Sequence, residues 1–180
     1  MTLKIGQDRD TGRIKVDQSW YIRYAARVFQ PSWRIEPWIP MNPYEDLGKA
    51  IKGQEQEKCR VLMRTLQHIA DYTRPDIACA VGTLKRFSDE YGRNHWEAAL
   101  EVLSYLIKTS DIGLVFSSKG ELELSGYTDC NFVRRDIPSV MGWMYTLNNT
   151  PILWESRRET SAENDEVCAD YEVTHVALSE

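Results

Sequence analysis

Apolar and polar residues alternate through 2–8 (TLKIGQD) and 13–17 (RIKVD), and Asp10-Thr11-Gly12 breaks the run between them, which predicts a hairpin of two short strands. After Gln18 the period lengthens. Tyr21, Ile22, Ala25, Ala26 and Phe29 recur at three-to-four spacing and place one apolar stripe on a helix reaching Phe29. Residues 30–56 contain Pro31, Pro37, Pro40 and Pro43, four of the seven prolines, and few periodic positions, so they read as a connecting segment. Its Trp33 and Trp38 are either pinned against the domain or free to stack on bases. Three helices follow: 57–70 with Val61, Leu62, Leu66, Ile69 and Ala70 inward, 75–88 with Ile77, Ala78, Val81, Leu84 and Phe87, and 94–107 with Trp96, Ala99, Leu100, Leu103, Leu106 and Ile107. The second carries a start signal in Thr73 as a cap, Pro75 in the first turn and Asp76 at the positive dipole end.

Beyond Ser110 the period falls to two, and 112–117, 122–128, 140–147 and 151–155 read as strands, the last two joined as a hairpin through Asn148-Asn149-Thr150. A final helix is expected over 167–178. Helices first and a meander-like sheet second make an α+β chain whose parts meet near residue 110.

Charge sharpens this division. The net charge of −5 hides a gradient: residues 1–60 carry 11 basic and 8 acidic side chains, residues 61–110 carry 6 of each, and residues 111–180 carry 5 and 13. Nucleic-acid affinity rests on Lys and Arg releasing counterions from phosphate, so this composition argues against a strong free-standing nucleic-acid binder. The acidic last third is either a solvated face or a carboxylate metal site. Cys59, Cys79, Cys130 and Cys168 form no CxxC pair, and with only His68, His95 and His175 to help, neither a zinc site nor a disulfide framework is expected. No run approaches the ~20 apolar residues of a membrane span and the start has no apolar export region, so no membrane contact and an intracellular compartment are expected.

Six stretches, taken in order, resemble the Pol polyprotein of copia-type LTR retrotransposons. Thr73-Arg74-Pro75-Asp76-Ile77-Ala78-Cys79-Ala80-Val81 is similar to the family's TRPDIAYAV. His95-Trp96-Glu97-Ala98 with Leu103-Ser104-Tyr105-Leu106 resembles HW(E)A…LRYL. Gly126-Tyr127-Thr128-Asp129-Cys130-Asn131-Phe132 resembles GYSDADW, and Met141-Gly142-Trp143-Met144-Tyr145 resembles SGYVF. Trp154 with Ser156-Arg157-Arg158-Glu159 and then Cys168-Ala169-Asp170-Tyr171 resemble W…SKKQ and EAEY. The opening LKIGQDRDTGRIKVDQSWYI is similar to the family's LGIQIERD…I.LSQ.KYI, and the chain contains no YVDD-like paired aspartate. The resemblance implies a reverse-transcriptase palm end and connecting segment over 1–56, a helical thumb and connection over 57–110, and a partial ribonuclease H-like domain with a truncated mixed sheet and one helix over 111–180. DNA synthesis by this chain alone is excluded on that reading.

The chemistry implied for the last part is two-metal hydrolysis of an RNA/DNA hybrid, in which clustered carboxylates hold Mg²⁺ ions about 3.5–4 Å apart. Asp129 stands at the family's first catalytic aspartate and Asp170 at the second Glu of EAEY, with Glu172 as a register-shifted substitute two helical positions along. The family's remaining ligands are expected beyond residue 180. Asn131 replaces the second Asp of SDADW, and the family's RRSTSG has become Asp136-Ile137-Pro138-Ser139-Val140-Met141-Gly142. The set should therefore hold Mg²⁺ weakly and leave the attacking water unplaced, so no nuclease activity and no tightly bound cofactor are expected. His95 reads as a packing or capping residue, His175 as a helix-surface residue or a neighbour of a metal, and Arg134-Arg135 and Arg157-Arg158 as solvated or phosphate-facing pairs. The sheet edge left open would favour self-association or a protein partner. Two functions therefore stand: a retrotransposon-derived Pol fragment, ancestrally holding and cutting hybrid, or a recruited interaction module without enzymatic activity.

Overall fold

Asp8 decides where the first hairpin turns. Its Oδ1 accepts the N–H groups of Asp10 (3.0 Å) and Thr11 (3.2 Å), and the Thr11 hydroxyl donates to Oδ2 at 2.6 Å. Gly12, at φ 68°, supplies the left-handed residue that returns the chain. The computed structural model describes residues 2–31, 37–42, 47–50, 56–117, 122–131 and 140–158. In it β1 (Lys4–Asp8) pairs antiparallel with β2 (Arg13–Asp17), Lys4 opposite Asp17 and Asp8 opposite Arg13.

The chain divides into two compact units, Met1–Val115 and Phe116–Glu180. In the first, α1 (Ser19–Phe29) starts where Asp17 Oδ1 accepts the Ser19 N–H at 2.9 Å, and ends at Gln30, whose left-handed backbone (φ 46°) precedes Pro31. Helix α2 (Gln56–Tyr72), a 3₁₀ turn (Pro75–Ile77), α3 (Ala78–Lys85) and α4 (Arg93–Lys108) complete the helical layer. Ile22 and Ala25 of α1, Leu62, Leu66 and Ile69 of α2, Val81 and Leu84 of α3, and Ala99, Val102, Leu103 and Leu106 of α4 form one core.

The helical stripes predicted from spacing are present, with shifts in detail. Val61 lies outward, 44% exposed, and Cys59 and Met63 take its inward place. On α4 the buried line runs through His95, Ala98, Ala99, Val102, Leu103 and Leu106, leaving Trp96, Leu100 and Ile107 along its margin. The single helix expected over 75–88 is a 3₁₀ turn followed by α3, and Thr73 does not cap it. Its hydroxyl donates instead to Gln18 Oε1 at 2.7 Å, tying the end of α2 to the start of α1.

Strand β3 (Leu114–Ser117) corrects the sequence reading more deeply. It lies beside β2 in a sheet of order β1-β2-β3, joining the N-terminal hairpin and not the strands that follow it. The unit boundary falls within this strand. The second unit contains β4 (Leu124–Asn131), β5 (Val140–Leu147) and β6 (Thr150–Arg158) in the order β4-β5-β6. Both pairings are antiparallel, so these strands form an antiparallel sheet where the resemblance implied a mixed one. Asn148 (φ 49°) and Asn149 (φ 62°) make the predicted β5–β6 turn, since asparagine tolerates the left-handed region. A bulge sits between Tyr145 and Thr146. The helix expected over 167–178 lies outside the described residues. No helix among those described is long and apolar enough to cross a membrane.

Candidate functional site

The segment Thr73–Val81 earns its sequence pattern structurally. Arg74 is fully buried, and its guanidinium meets four acceptors: Nε to Asp76 Oδ1 (2.9 Å), Nη2 to Asp76 Oδ2 (2.7 Å), Nη1 to the Thr109 carbonyl (2.9 Å) and Nη2 to Thr109 Oγ1 (2.6 Å). The Tyr105 hydroxyl donates to Asp76 Oδ2 at 2.9 Å, and the Tyr105 ring lies 5.5 Å from the guanidinium carbon. A planar fork of donors suits this arrangement, because it serves a carboxylate and the C-terminal end of α4 together. Arg74 thus clamps the 3₁₀ turn to the last turn of α4, where a cation also complements the helix dipole. Burial raises the Asp76 carboxyl, but the Arg74 hydrogen bonds and charge outweigh it and hold the group below its ordinary 3.8.

A carboxyl held low in the folded state stabilises the fold at neutral pH and loses that contribution as pH falls from the unfolded value through the lower folded one. Asp76→Asn should therefore flatten the decline in stability as pH falls below about 5, measured by urea unfolding, while lowering stability at pH 7. An unchanged acid limb would show that the Arg74–Asp76 pair does not govern it.

His95 packs and caps, as its place at a helix start predicts. It is fully buried, its Nδ1 accepts the Gly92 N–H at 3.0 Å, and Phe87 stacks on its ring at 4.2 Å. Burial pushes its pKa down, opposed by the Gly48 backbone.

Asp129 lies exposed on β4, opposite Gly142 of β5, which is itself opposite Ser156 of β6. Asp170, Glu172 and His175 lie outside the described residues, as do Arg134 and Arg135. The described part of the implied magnesium set is thus one carboxylate in a row with a glycine and a serine. Among the described residues no three His, Cys, Asp or Glu side chains gather into a metal-binding group. Arg157 reaches Glu155, Nη1 to Oε2 at 3.8 Å, a partly exposed ion pair of small energetic weight.

Spacing found the inner stripe of α1 and overlooked the outer one. Trp20 (63% exposed), Tyr24 (53%) and Val28 (52%) line its free face at four-residue intervals, with Arg23 and Arg27 exposed beside them. The Trp20 and Tyr24 rings are stacked, centroids 6.0 Å apart at 10°. Their i, i+4, i+8 spacing is a legible signal, since three large apolar residues opposite a buried stripe serve no core. Of the two tryptophans read as either pinned against the domain or free to stack on bases, Trp33 lies outside the described residues. Trp38 is 85% exposed, with one ring face taken by Lys108 Nζ at 3.5 Å.

The chain is 33% identical over 120 residues, 63% of its length, to a protein of Plasmopara viticola named secreted RxLR effector protein 161, of which it spans 84%. It is 36% identical over 180 residues, 94% of its length, to the retrovirus-related Pol polyprotein from transposon TNT 1-94 of Nicotiana tabacum, of which it spans 13%. A third relative is the retrovirus-related Pol polyprotein from transposon RE2 of Arabidopsis thaliana, 29% identical over 132 residues, which are 72% of this chain and 9% of that protein. No family model matches the chain, and no solved structure matches it.

Proposed function

From its likeness over most of its length to retrovirus-related Pol polyproteins of transposons, we propose that the chain is a nucleic-acid-contacting module which neither polymerises nor cleaves. On this reading it descends from a reverse-transcriptase thumb and connection followed by the opening strands of a ribonuclease H-like domain. The observation that carries the contact is the free face of α1. An exposed, stacked Trp20–Tyr24 pair offers a surface for an unstacked base, and the exposed Arg27, with Arg23, whose Nε donates to the Ser19 carbonyl at 3.1 Å, brings positive charge beside it for a backbone phosphate. These residues belong to the basic third of the chain, with 11 basic against 8 acidic side chains over 1–60. The acidic last third weakens overall affinity by repulsion. The reading of inactivity rests on the residues that stand at the family's positions: Asn131 replaces the second aspartate beside Asp129, and Asp170, with Glu172 as a shifted substitute, replaces a glutamate, a set poorly matched to fixing two magnesium ions and a water.

The test is binding and cleavage of an RNA/DNA hybrid that carries a single-stranded overhang, using the full chain. Trp20→Ala should weaken binding about fivefold or more, the loss of one stacked base. Arg27→Ala should lower the salt slope by about one. No product should form with Mg²⁺ or Mn²⁺. Binding indifferent to Trp20 would overturn the interface, and turnover abolished by Asp129→Asn would overturn the inactivity.

A second reading, a recruited protein-interaction module, is favoured by the Plasmopara viticola relative, whose name is that of an effector and most of whose length this chain spans. It expects a single stoichiometric protein partner in a pull-down and no dependence of function on nucleic acid.

A further inference from the structure

Among the described residues the sheet β4-β5-β6 has two outer edges, and the chain blunts one of them. On β6, Pro151 has no N–H to offer, a bulge distorts the ladder near it, and Arg157 stands exposed. These are the devices that keep an edge from pairing. β4 has none of them. It is eight residues long, its register with β5 is unbroken, and residues 122–131 include no proline, lysine or arginine. Leu124 (66% exposed), Gly126, Tyr127 (53%), Thr128 and Asp129 are all open to solvent.

The hydrogen-bond phase says which groups point outward. The Asn148 N–H donates to the Glu123 carbonyl at 2.9 Å, and the Glu123 N–H to Asn148 Oδ1 at 2.8 Å, so Glu123 and Asn148 form a bonded rung. Bonded and non-bonded rungs alternate in an antiparallel pair. Ser125, Tyr127 and Asp129 therefore face β5 with their main-chain groups, while Leu124, Gly126, Thr128 and Cys130 turn theirs away from it.

We propose that this edge pairs with β4 of a second copy of the chain, antiparallel about a two-fold axis at Tyr127. In that register Gly126 meets Thr128 and Leu124 meets Cys130 as bonded rungs, so the outward groups of all four residues find partners. Tyr127 meets its own copy on a non-bonded rung, where side chains approach most closely and aromatic pairs are favourable. Charge selects the same register. Asp129 comes opposite Ser125, whose hydroxyl can donate to it, and Glu123 opposite Asn131, so no acid faces an acid. A foreign acidic strand would lack this match. The contact is isologous and closes on itself, giving a dimer and not a filament. It is independent of the nucleic-acid reading of α1.

Sedimentation of the full chain over a dilution series should show a monomer–dimer equilibrium. Thr128→Pro removes an outward donor without touching the β5 ladder, and should raise the dimer dissociation constant about tenfold or more while leaving the unfolding transition in place. A cross-link gives a second route that needs no proline. In a Cys79→Ser/Cys130→Ser/Cys168→Ser background, which leaves only the buried Cys59, Tyr127→Cys should oxidise to a covalent dimer, because facing Cα atoms on a non-bonded rung are about 4.5 Å apart. Ser125→Cys, facing Asp129, should not. A chain that stays monomeric at every concentration, including one that captures only a foreign strand, overturns the proposal. So does a dimer indifferent to Thr128→Pro, or equal cross-linking by the two cysteine variants.

Discussion

Arg74→Met is expected to lower the unfolding free energy by about 3–5 kcal/mol, the cost of leaving the partners of a buried charge without it. The side chain is 0% exposed, whereas that of Asp76 keeps 32% of its surface in solvent. The loss therefore divides between a carboxylate that can partly rehydrate and a Thr109 carbonyl and hydroxyl that lose their donor at the end of α4. Against a total stability of about 5–15 kcal/mol for a domain, that is enough to unfold a marginal one. Arg74→Lys should recover only part of it, since a single ammonium cannot span both Asp76 oxygens and Thr109 at once. Urea unfolding of the two variants, with Arg74→Met/Asp76→Asn closing a double-mutant cycle, measures the coupling. A cost for Arg74→Met below about 1 kcal/mol, the scale of a surface ion pair, would refute the clamp.

Gly113→Val is the second large expected effect. A Cβ at this position would lie 2.5 Å from the Val16 carbonyl oxygen, 2.8 Å from Asp17 Cβ and 3.2 Å from Asp17 Cα. Main-chain atoms cannot swing aside as a flexible side chain can, so the strands must separate. We expect a loss of about 1–3 kcal/mol, at the upper end for valine. The damage should concentrate where β3 meets β2, because Lys15 Nζ reaches the Asp111 carbonyl across the same approach and Asp17 seats the first N–H of α1. Hydrogen exchange would show protection lost over 13–17 and 114–117 before it is lost in α2 or α4. Uniform loss throughout the first unit, or none, would contradict this. The contact also explains why 112–117 belongs with the hairpin: its glycine admits β2 to van der Waals distance.

Much of the molecule was legible in the chain. The stripe Leu62, Leu66, Ile69 and the turn Asn148-Asn149 act through neighbours three or four residues apart, and local geometry alone places them. The α4 stripe was displaced because a histidine followed by a tryptophan invites the larger apolar residue inward. His95 won the interior by capping its own helix through Gly92 and stacking on Phe87. Of the expected site, Asp129 was found exposed on its strand, and its companions Asp170 and Glu172 lie outside the described residues. The outer face of α1 was readable from its spacing and was passed over because the inner stripe already accounted for a helix.

The order of residues carried the helical stripes, both hairpins and the likeness to Pol polyproteins, since each depends on periodicity, turn residues or short motifs that neighbouring positions carry by themselves. Folding alone decided that 114–117 joins β1 and β2, that an arginine is buried between the 3₁₀ turn and the end of α4, and that β4 is an outer strand among the described residues of its sheet. Strand partners and the burial of a charge are settled by groups far apart in the chain, such as Arg74 and Thr109 or Gly113 and Val16. Their convergence depends on how whole elements pack, and local pattern does not encode that.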